Sequence, residues 1–177
     1  PSRTGIISIL NLMGASIQLK NKKIYKGERI ADIFIESKKN LKGINCPIKF
    51  NSAAIDEFLL IFLVAAKAKG SSRFLKIQEL NAKESKRLDL GFKILKMIGV
   101  KTKKIGNHGI QIYGNPHLKL NKDYILKNYL KDHRVFMMSV IASMTLGGNW
   151  KIHNPDSIKS SFPSFLKMIK KLGGKFN

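Results

Sequence analysis

Two segments of the chain are apolar on nearly every helical face and lack a continuous polar face. The first covers residues 55–66; it is too long for a typical strand and is apolar on all sides past its first turn. The second covers residues 132–146 and ends before Gly147 and Gly148. A helix without a polar face has to be buried on every side. The two segments therefore predict two helices in the interior of the protein.

Three further segments have apolar residues at helical spacing on one side only, and each ends at a glycine that suits the position after a helix. They are 3–13 with Gly14, 82–98 with Gly99, and 164–172 with Gly173. Pro163 is well placed in the first turn of the last of these helices. We predict that all three helices are amphipathic.

Alternating apolar and polar residues predict short strands between the helices. The predicted strands are 15–21, 22–25, 30–36, 73–77, 100–105, 109–113 and 150–152. We expect the first two to form a hairpin, and a second hairpin to turn around Asn107. Residues 37–50 contain Gly43 and Pro47 and are predicted to form a loop.

Similar helix ends recur along the chain, which indicates an internal repeat. Related six-residue segments end at Gly14, Gly99 and Gly173, spaced 85 and then 74 residues apart. The repeated unit is β-α-β-α-β-β, and its crossovers make part of each sheet parallel. We predict a mixed α/β (α+β) fold in which buried parallel helices are surrounded by mixed sheets. Residues 1–177 then form one domain: 1–28 end one unit, 29–114 are a full unit, and 115–177 are a partial unit.

Composition places the chain among globular proteins, with 177 residues of which 44% are hydrophobic. Its apolar runs are too short to span a bilayer, so we expect no membrane association. Cys46 is the only cysteine, so the chain cannot form an internal disulfide, which is consistent with a reducing cytoplasm. No Cys/His spacing in the sequence is typical of a metal site. Because Pro1 leads directly into a helical pattern, we expect the chain to begin inside a larger protein.

The formal net charge of +22 would ordinarily suggest a nucleic-acid partner. However, 28 of the 33 basic residues are lysines scattered along the chain, which is typical of a solvated surface, and we expect no nucleic acid. Arginine is scarce, and its planar fork matters where phosphate or carboxylate is bound bidentately. Arg87 and Arg134 are therefore candidate anion-binding residues.

Residues 79–87 combine cations with an acid at the start of the predicted helix 82–98. On a helix, Lys83 and Arg87 would share a face with Glu84 close by, so they could hold an anion beside an acid. The same residues also allow a capping box, in which Asn81 and Glu84 stabilise the helix by about 1 kcal/mol. Both interpretations remain open at this point.

Two more predicted helices begin with charged residues, Asp56 and Glu57 in one and Asp132, His133 and Arg134 in the other. If the helices are parallel and buried, their starts gather at one end of the domain, where free N–H groups and helix dipoles favour anions. The structural alternative is that Asp56 complements a helix dipole and Asp132 is an N-cap.

Three motifs in this order resemble the carboxy-terminal part of 5-enolpyruvylshikimate-3-phosphate (EPSP) synthases. They are Lys83-Glu84-Ser85-Lys86-Arg87-Leu88, Asp132-His133-Arg134 and Ser161-Phe162-Pro163. The resemblance covers essentially the whole chain but not the whole enzyme. It implies an enolpyruvyl transferase-like domain of three repeat units, the third completed by a missing amino-terminal part.

The resemblance implies a transferase of the shikimate pathway, which leads to aromatic amino acids. Such an enzyme joins shikimate 3-phosphate to phosphoenolpyruvate (PEP) through a tetrahedral intermediate and releases phosphate. Acid–base groups beside cationic anchors can do this without a metal or a cofactor. The implied partners are both substrates and the missing amino-terminal domain of the same enzyme. We expect a cytoplasmic monomer, and no activity from the 177 residues alone.

Each motif also implies roles for its residues. Asp56 resembles the proton acceptor that also binds shikimate 3-phosphate, and Glu84 resembles the acid/base group that faces PEP. Lys83 resembles a lysine that binds shikimate 3-phosphate, and Arg87 and Arg134 resemble the arginines that hold the carboxylate and phosphate of PEP. Two additional candidates by position are Lys159 and His133.

Some positions depart from the family pattern. Asn81 stands where many members have an arginine, and Glu79 where some have a substrate-binding asparagine. Ser160 stands where many have a PEP-binding lysine, with Lys159 one residue earlier. Two alternatives remain: the sister enolpyruvyl transferase acting on UDP-N-acetylglucosamine, which the motifs disfavour, and a basic RNA-binding module built on the same repeats.

Overall fold

The interior of the protein is built around the two helices that lack a polar face. A computed structural model describes residues 3–37 and 41–176. Its α-helices are α1 (Gly5–Leu12), α2 (Phe58–Lys67), α3 (Arg87–Met97), α4 (His133–Leu146) and α5 (Phe165–Lys171). Its strands are β1 (Ser16–Tyr25), β2 (Glu28–Glu36), β3 (Gly70–Phe74), β4 (Thr102–Ile105), β5 (Gly109–Gly114), β6 (Leu120–Leu126) and β7 (Gly147–Ile152).

Helices α2 and α4 are buried, as predicted. Seven residues of α2 and seven of α4 are buried, and both helices pack against each other and against α3. Helix α2 begins at Phe58 rather than at residue 55, after 3₁₀ turns at Ile48–Phe50 and Ser52–Ala54. Within the described residues, no helix combines the length and apolarity that a membrane crossing requires.

The predicted glycines end their helices in the left-handed region that favours glycine. The φ angles of Gly14, Gly99 and Gly173 are 94°, 77° and 91°. The predicted ends of these three helices are therefore confirmed, although α3 is shorter than predicted at its start. Residues 38–40 of the predicted loop 37–50 lie outside the described ranges.

The predicted hairpin between 15–21 and 22–25 is wrong, because β1 runs without a break to Tyr25 and pairs antiparallel with β2. The turn lies at Lys26 and Gly27, whose φ angles of 49° and 82° suit a two-residue turn between twisted strands. A bulge between Lys20 and Lys23 interrupts the ladder. The predicted unit boundary at 28/29 falls at the start of β2, inside this hairpin.

The other sheets only partly match the predicted mixture of parallel and antiparallel strands. Strands β3, β5 and β4 form an antiparallel sheet in that order, and it contains the predicted hairpin around Asn107. Strand β3 begins at Gly70 and ends at Phe74, earlier than the predicted 73–77. Strands β6 and β7 are parallel and are joined by α4. In the described ranges, the only other parallel pairings are isolated bridges from Lys42 and Asn45 to the region of β3.

Candidate active site

The segment before α3 is not helical, contrary to the predicted helix 82–98. A 3₁₀ helix covers Gln78–Ala82, Lys83 is extended, and α3 begins only at Arg87. Lys83 and Arg87 therefore do not share a helical face, and the capping box of Asn81 and Glu84 is absent. Instead, the Asn81 side-chain oxygen accepts a 3.2 Å hydrogen bond from the backbone N–H of Asp89, in the first turn of α3.

Arg87 lies at the centre of the site because its guanidinium meets three carboxylates. Its side chain is only 2% exposed. Nε donates to Asp132 Oδ2 at 2.9 Å and Nη1 to Asp56 Oδ1 at 3.2 Å, while Nη2 donates to Glu84. A buried cation is stable only when such partners replace its lost hydration. Arg87 therefore joins the starts of α3 and α4 to the segment that precedes α2.

Asp132 is fully buried and uses both carboxylate oxygens. Oδ1 accepts from the backbone N–H groups of Arg134 at 2.9 Å and Val135 at 3.2 Å, which makes Asp132 the N-cap of α4. Oδ2 accepts from Arg87 and from Ser85 Oγ at 2.8 Å. Burial opposes ionisation of Asp132, but these hydrogen bonds and the charge of Arg87 outweigh it, so the pKa of the carboxyl lies below its usual range.

Asp56 is surrounded by cations from several segments. Its Oδ2 lies 3.0 Å from Arg3 Nη1 and 3.7 Å from Arg134 Nη2, and its Oδ1 lies 3.9 Å from Lys83 Nζ. Arg134 Nη1 also donates to the backbone oxygen of Asp56 at 2.9 Å. This carboxylate, 12% exposed, therefore lies among the side chains of Arg3, Lys83, Arg87 and Arg134 at the edge of the interior.

Two further acids, Glu57 and Glu79, each pair with a cation of the site. Glu57 Oε1 lies 3.6 Å from Arg134 Nη1, and burial raises the pKa of Glu57, with a smaller contribution from Asp56 and opposing effects of Arg134 and Arg3. Glu79 Oε1 lies 3.5 Å from Lys83 Nζ.

We refer to these residues together as the charged cluster. Its members are Arg3, Asp56, Glu57, Glu79, Lys83, Glu84, Arg87, Asp132 and Arg134. The prediction that the charged helix starts gather at one place is confirmed. The sequence did not predict two of the residues at this site: Arg3, a member of the charged cluster, and Ser85, which donates a hydrogen bond to Asp132. Only Ser85 had a signal in the sequence, namely its position inside the Lys83–Arg87 motif.

Two predicted residues are not joined to the charged cluster. Lys159 is 75% exposed and pairs with Asp156, 2.9 Å away, in the turn before α5. His133 is half-buried at the first position of α4, and no hydrogen bond or ion pair in the described ranges connects it to the cluster. In the same ranges, no group of three or more His, Cys, Asp or Glu residues could hold a metal ion.

A family model described as EPSP synthase (3-phosphoshikimate 1-carboxyvinyltransferase) matches residues 2–169. The chain belongs to the EPSP synthase family. A 3-phosphoshikimate 1-carboxyvinyltransferase of Ruthia magnifica is 37% identical over 177 residues, which are 100% of this chain and 40% of the relative. The Geobacter metallireducens enzyme of the same name is 34% identical over 99% of this chain and 39% of its own length. The chain thus spans about 40% of the length of these curated EPSP synthase relatives.

Solved structures agree with the family assignment and with the predicted fold class. EPSP synthase from Acinetobacter baumannii superposes with a TM-score of 0.88 at 33% identity, covering 97% of this chain and 39% of that chain. The enolpyruvyl transferase NikO from Streptomyces tendae superposes with a TM-score of 0.68 at 15% identity, over 98% of this chain and 36% of that chain. The second likeness shows the fold alone, which is the mixed α/β architecture of enolpyruvyl transferases.

Proposed function

We propose that this chain supplies anion-binding and acid–base groups of an EPSP synthase. That enzyme transfers the enolpyruvyl group of PEP to the 5-hydroxyl of shikimate 3-phosphate and releases phosphate. The observation that carries the proposal is the charged cluster, in which Lys83, Arg87 and Arg134 surround Asp56 beside Glu84. Both substrates are multiply charged anions, and preorganised cations in a partly buried site bind such groups strongly.

The arginines are the proposed PEP ligands. Arg87 and Arg134 are planar donors that can each take two oxygens of a carboxylate or phosphate. Glu84 now occupies Nη2 of Arg87, but its side chain is 60% exposed, so an incoming anion can replace it with little rearrangement. Lys83 and Asp56 are the proposed ligands of shikimate 3-phosphate. His133 and Lys159 remain candidates, but no contact links either of them to the charged cluster.

The acids are the proposed proton carriers. In the addition step, the 5-hydroxyl oxygen bonds to C2 of PEP; Asp56 accepts the hydroxyl proton, and Glu84 donates a proton to the methylene carbon, which becomes a methyl group. In the elimination step, that methyl group loses a proton to Glu84, the carbon–carbon double bond reforms, and phosphate leaves with the proton that Asp56 had accepted, so both carboxyl groups return to their starting states. Every proton is accounted for by these two carboxyl groups.

We propose that the remaining substrate contacts come from polypeptide outside this chain. Relatives are about 2.5 times longer, so about 60% of their length has no counterpart in this chain. We further propose that the described elements form one domain of three repeat units in a two-domain, monomeric, cytoplasmic enzyme, and that the 177 residues alone bind PEP or phosphate weakly and turn nothing over. Enclosure between two domains would exclude water and strengthen each charge contact.

The experiment measures phosphate release from PEP with two alternative acceptors. The chain is assayed alone and after mixing with the part of the Ruthia magnifica relative that it does not match. We expect release only from the mixture and only with shikimate 3-phosphate as acceptor. Release with UDP-N-acetylglucosamine instead would support the sister transferase, and turnover by the chain alone would contradict the two-domain proposal.

A further inference from the structure

The three nitrogen atoms of Arg87 have partners of very different accessibility. Nε faces Asp132, which is fully buried, Nη1 faces Asp56, which is 12% exposed, and Nη2 faces Glu84, on the solvent side. A substrate anion can reach only the partners that are open to solvent. The Nη1 and Nη2 edge is therefore the part of Arg87 that can exchange a protein carboxylate for a ligand, whereas the Nε contact has to persist.

Asp132 is held in place on every side, so it can act as a fixed reference point. Its Oδ1 accepts two backbone N–H groups of α4, and its Oδ2 accepts from Ser85 Oγ and Arg87 Nε. Ser85 itself is buried. One of the two backbone donors belongs to Arg134, so the same carboxylate links the backbone of one anion-binding arginine to the side chain of the other.

We propose that Asp132, supported by the Ser85 hydroxyl, is a positioning residue that fixes Arg87 through Nε. The contact turns the Nη1 and Nη2 edge toward the substrate anion and sets the spacing between Arg87 and Arg134. The inference rests on the proposed function, since it assigns a role in PEP binding. Neither residue contacts the reacting atoms in this proposal; both act through Arg87.

Asp132→Asn separates this role from the capping of α4. Asparagine is as good an N-cap as aspartate, and its side-chain oxygen can keep both backbone hydrogen bonds. Its amide group then presents N–H donors to Arg87 Nε, which is also a donor, so the anchoring hydrogen bond is lost. Ser85→Ala is the milder second variant, because it removes only one donor to the carboxylate.

Asp89→Asn is the matched control. Asp89 lies on α3, the helix that Arg87 begins, and its pKa is also lowered, chiefly by a hydrogen bond from Lys104. The substitution makes the same change of charge, but Asp89 has no contact with the charged cluster in the described part of the chain.

The test combines nitrogen-15 NMR of the arginine Nε–H groups with a PEP titration of the folded 177-residue chain. The Arg87 signal is assigned by its loss in Arg87→Lys, and circular dichroism verifies that each variant is folded. We expect Asp132→Asn to speed solvent exchange of the Arg87 Nε–H by at least about tenfold, since buried hydrogen-bonded groups exchange slowly. We expect Asp132→Asn to weaken the binding of PEP by about tenfold and Ser85→Ala to weaken it by about threefold, whereas Asp89→Asn should leave PEP binding unchanged.

A folded Asp132→Asn variant that keeps slow Nε–H exchange, or that binds PEP as well as the wild-type chain does, would overturn the inference. An equal loss of affinity in Asp89→Asn would also overturn it, because total charge would then be the cause. A wild-type chain that binds neither PEP nor inorganic phosphate would contradict the proposed function instead, and the exchange rate of the Nε–H would then decide the orienting role by itself.

Discussion

Among single residues, Arg87 and Arg134 share the carboxylate Asp56 but are held differently. Arg87 is 2% exposed and donates hydrogen bonds to three carboxylates. Arg134 is 26% exposed, donates a hydrogen bond to the backbone oxygen of Asp56, and lies 3.7 Å from the Asp56 carboxylate and 3.6 Å from that of Glu57. A backbone carbonyl carries no net charge, so it competes less strongly with an incoming anion than a carboxylate does. Arg134 is therefore the arginine that can engage a substrate with the smaller loss of existing contacts.

Arg134→Lys should weaken PEP by at least about tenfold, although the positive charge is kept, because an ammonium group cannot reproduce a bidentate fork. The measurement is the Michaelis constant for PEP in the assembled enzyme, by which we mean this chain mixed with the part of the Ruthia magnifica relative that it does not match. Arg29→Lys, at an exposed position in β2, is the control and should leave it unchanged. A Michaelis constant within about twofold of wild type for Arg134→Lys would argue against its assignment as a PEP ligand.

Asp132 predicts a specific dependence of stability on pH. Its pKa is lowered in the folded protein, so its contribution to stability is fully present above its unfolded pKa and is lost as pH falls through the folded pKa. Urea unfolding at about pH 7 should show Asp132→Asn to be less stable than wild type by about 2 kcal/mol, and the difference should shrink below about pH 4. A difference that stays constant into acid would show that the carboxylate charge is not responsible.

For individual elements, the sequence predicted what burial alone determines. Helices α2 and α4 could be predicted because a helix without a polar face has to be buried in the interior. The start of α3 could not, because residues 82–86 are acceptable helix formers and only tertiary contacts, such as the burial of Ser85 against Asp132, pull them out of a helix. Strand β6 was missed because three polar residues follow Leu120 and the exposed residue between Tyr124 and Leu126 is the apolar Ile125, so apolar and polar residues do not alternate.

The Asn81 side chain caps helix α3, which begins six residues later at Arg87. Replacing Asn81 with Ala should lower the free energy of unfolding by about 1 kcal/mol, since the N–H of Asp89 loses its acceptor. The assembled enzyme should keep its rate of phosphate release. A folded Asn81→Ala variant with a much lower rate would show that Asn81 serves the chemistry rather than α3.

Across the whole molecule, the charged cluster stands out against a strongly basic chain. Five of the 11 acidic residues lie in it, namely Asp56, Glu57, Glu79, Glu84 and Asp132, although the net charge is +22. Most of these acids were candidate site residues because of the motifs. They were expected to lie close together because the starts of the buried helices were expected to meet at one end of the domain. The contact of Arg3 with Asp56 was not predicted, because Arg3 belongs to none of the motifs.

The proposed proton-carrying role of Glu84 gives the most direct test of the charged cluster as an active site. Glu79 is a matched control: it lies in the same segment, pairs with a cation of the cluster and is 61% exposed, against 60% for Glu84. The measurement is phosphate release by the assembled enzyme with both substrates at saturation. Glu84→Gln should lower the rate by at least about 100-fold, and Glu79→Gln by less than about threefold, because Glu84 is assigned proton transfer and Glu79 is not. Equal rates in the two variants would contradict the assignment of Glu84 as a proton carrier.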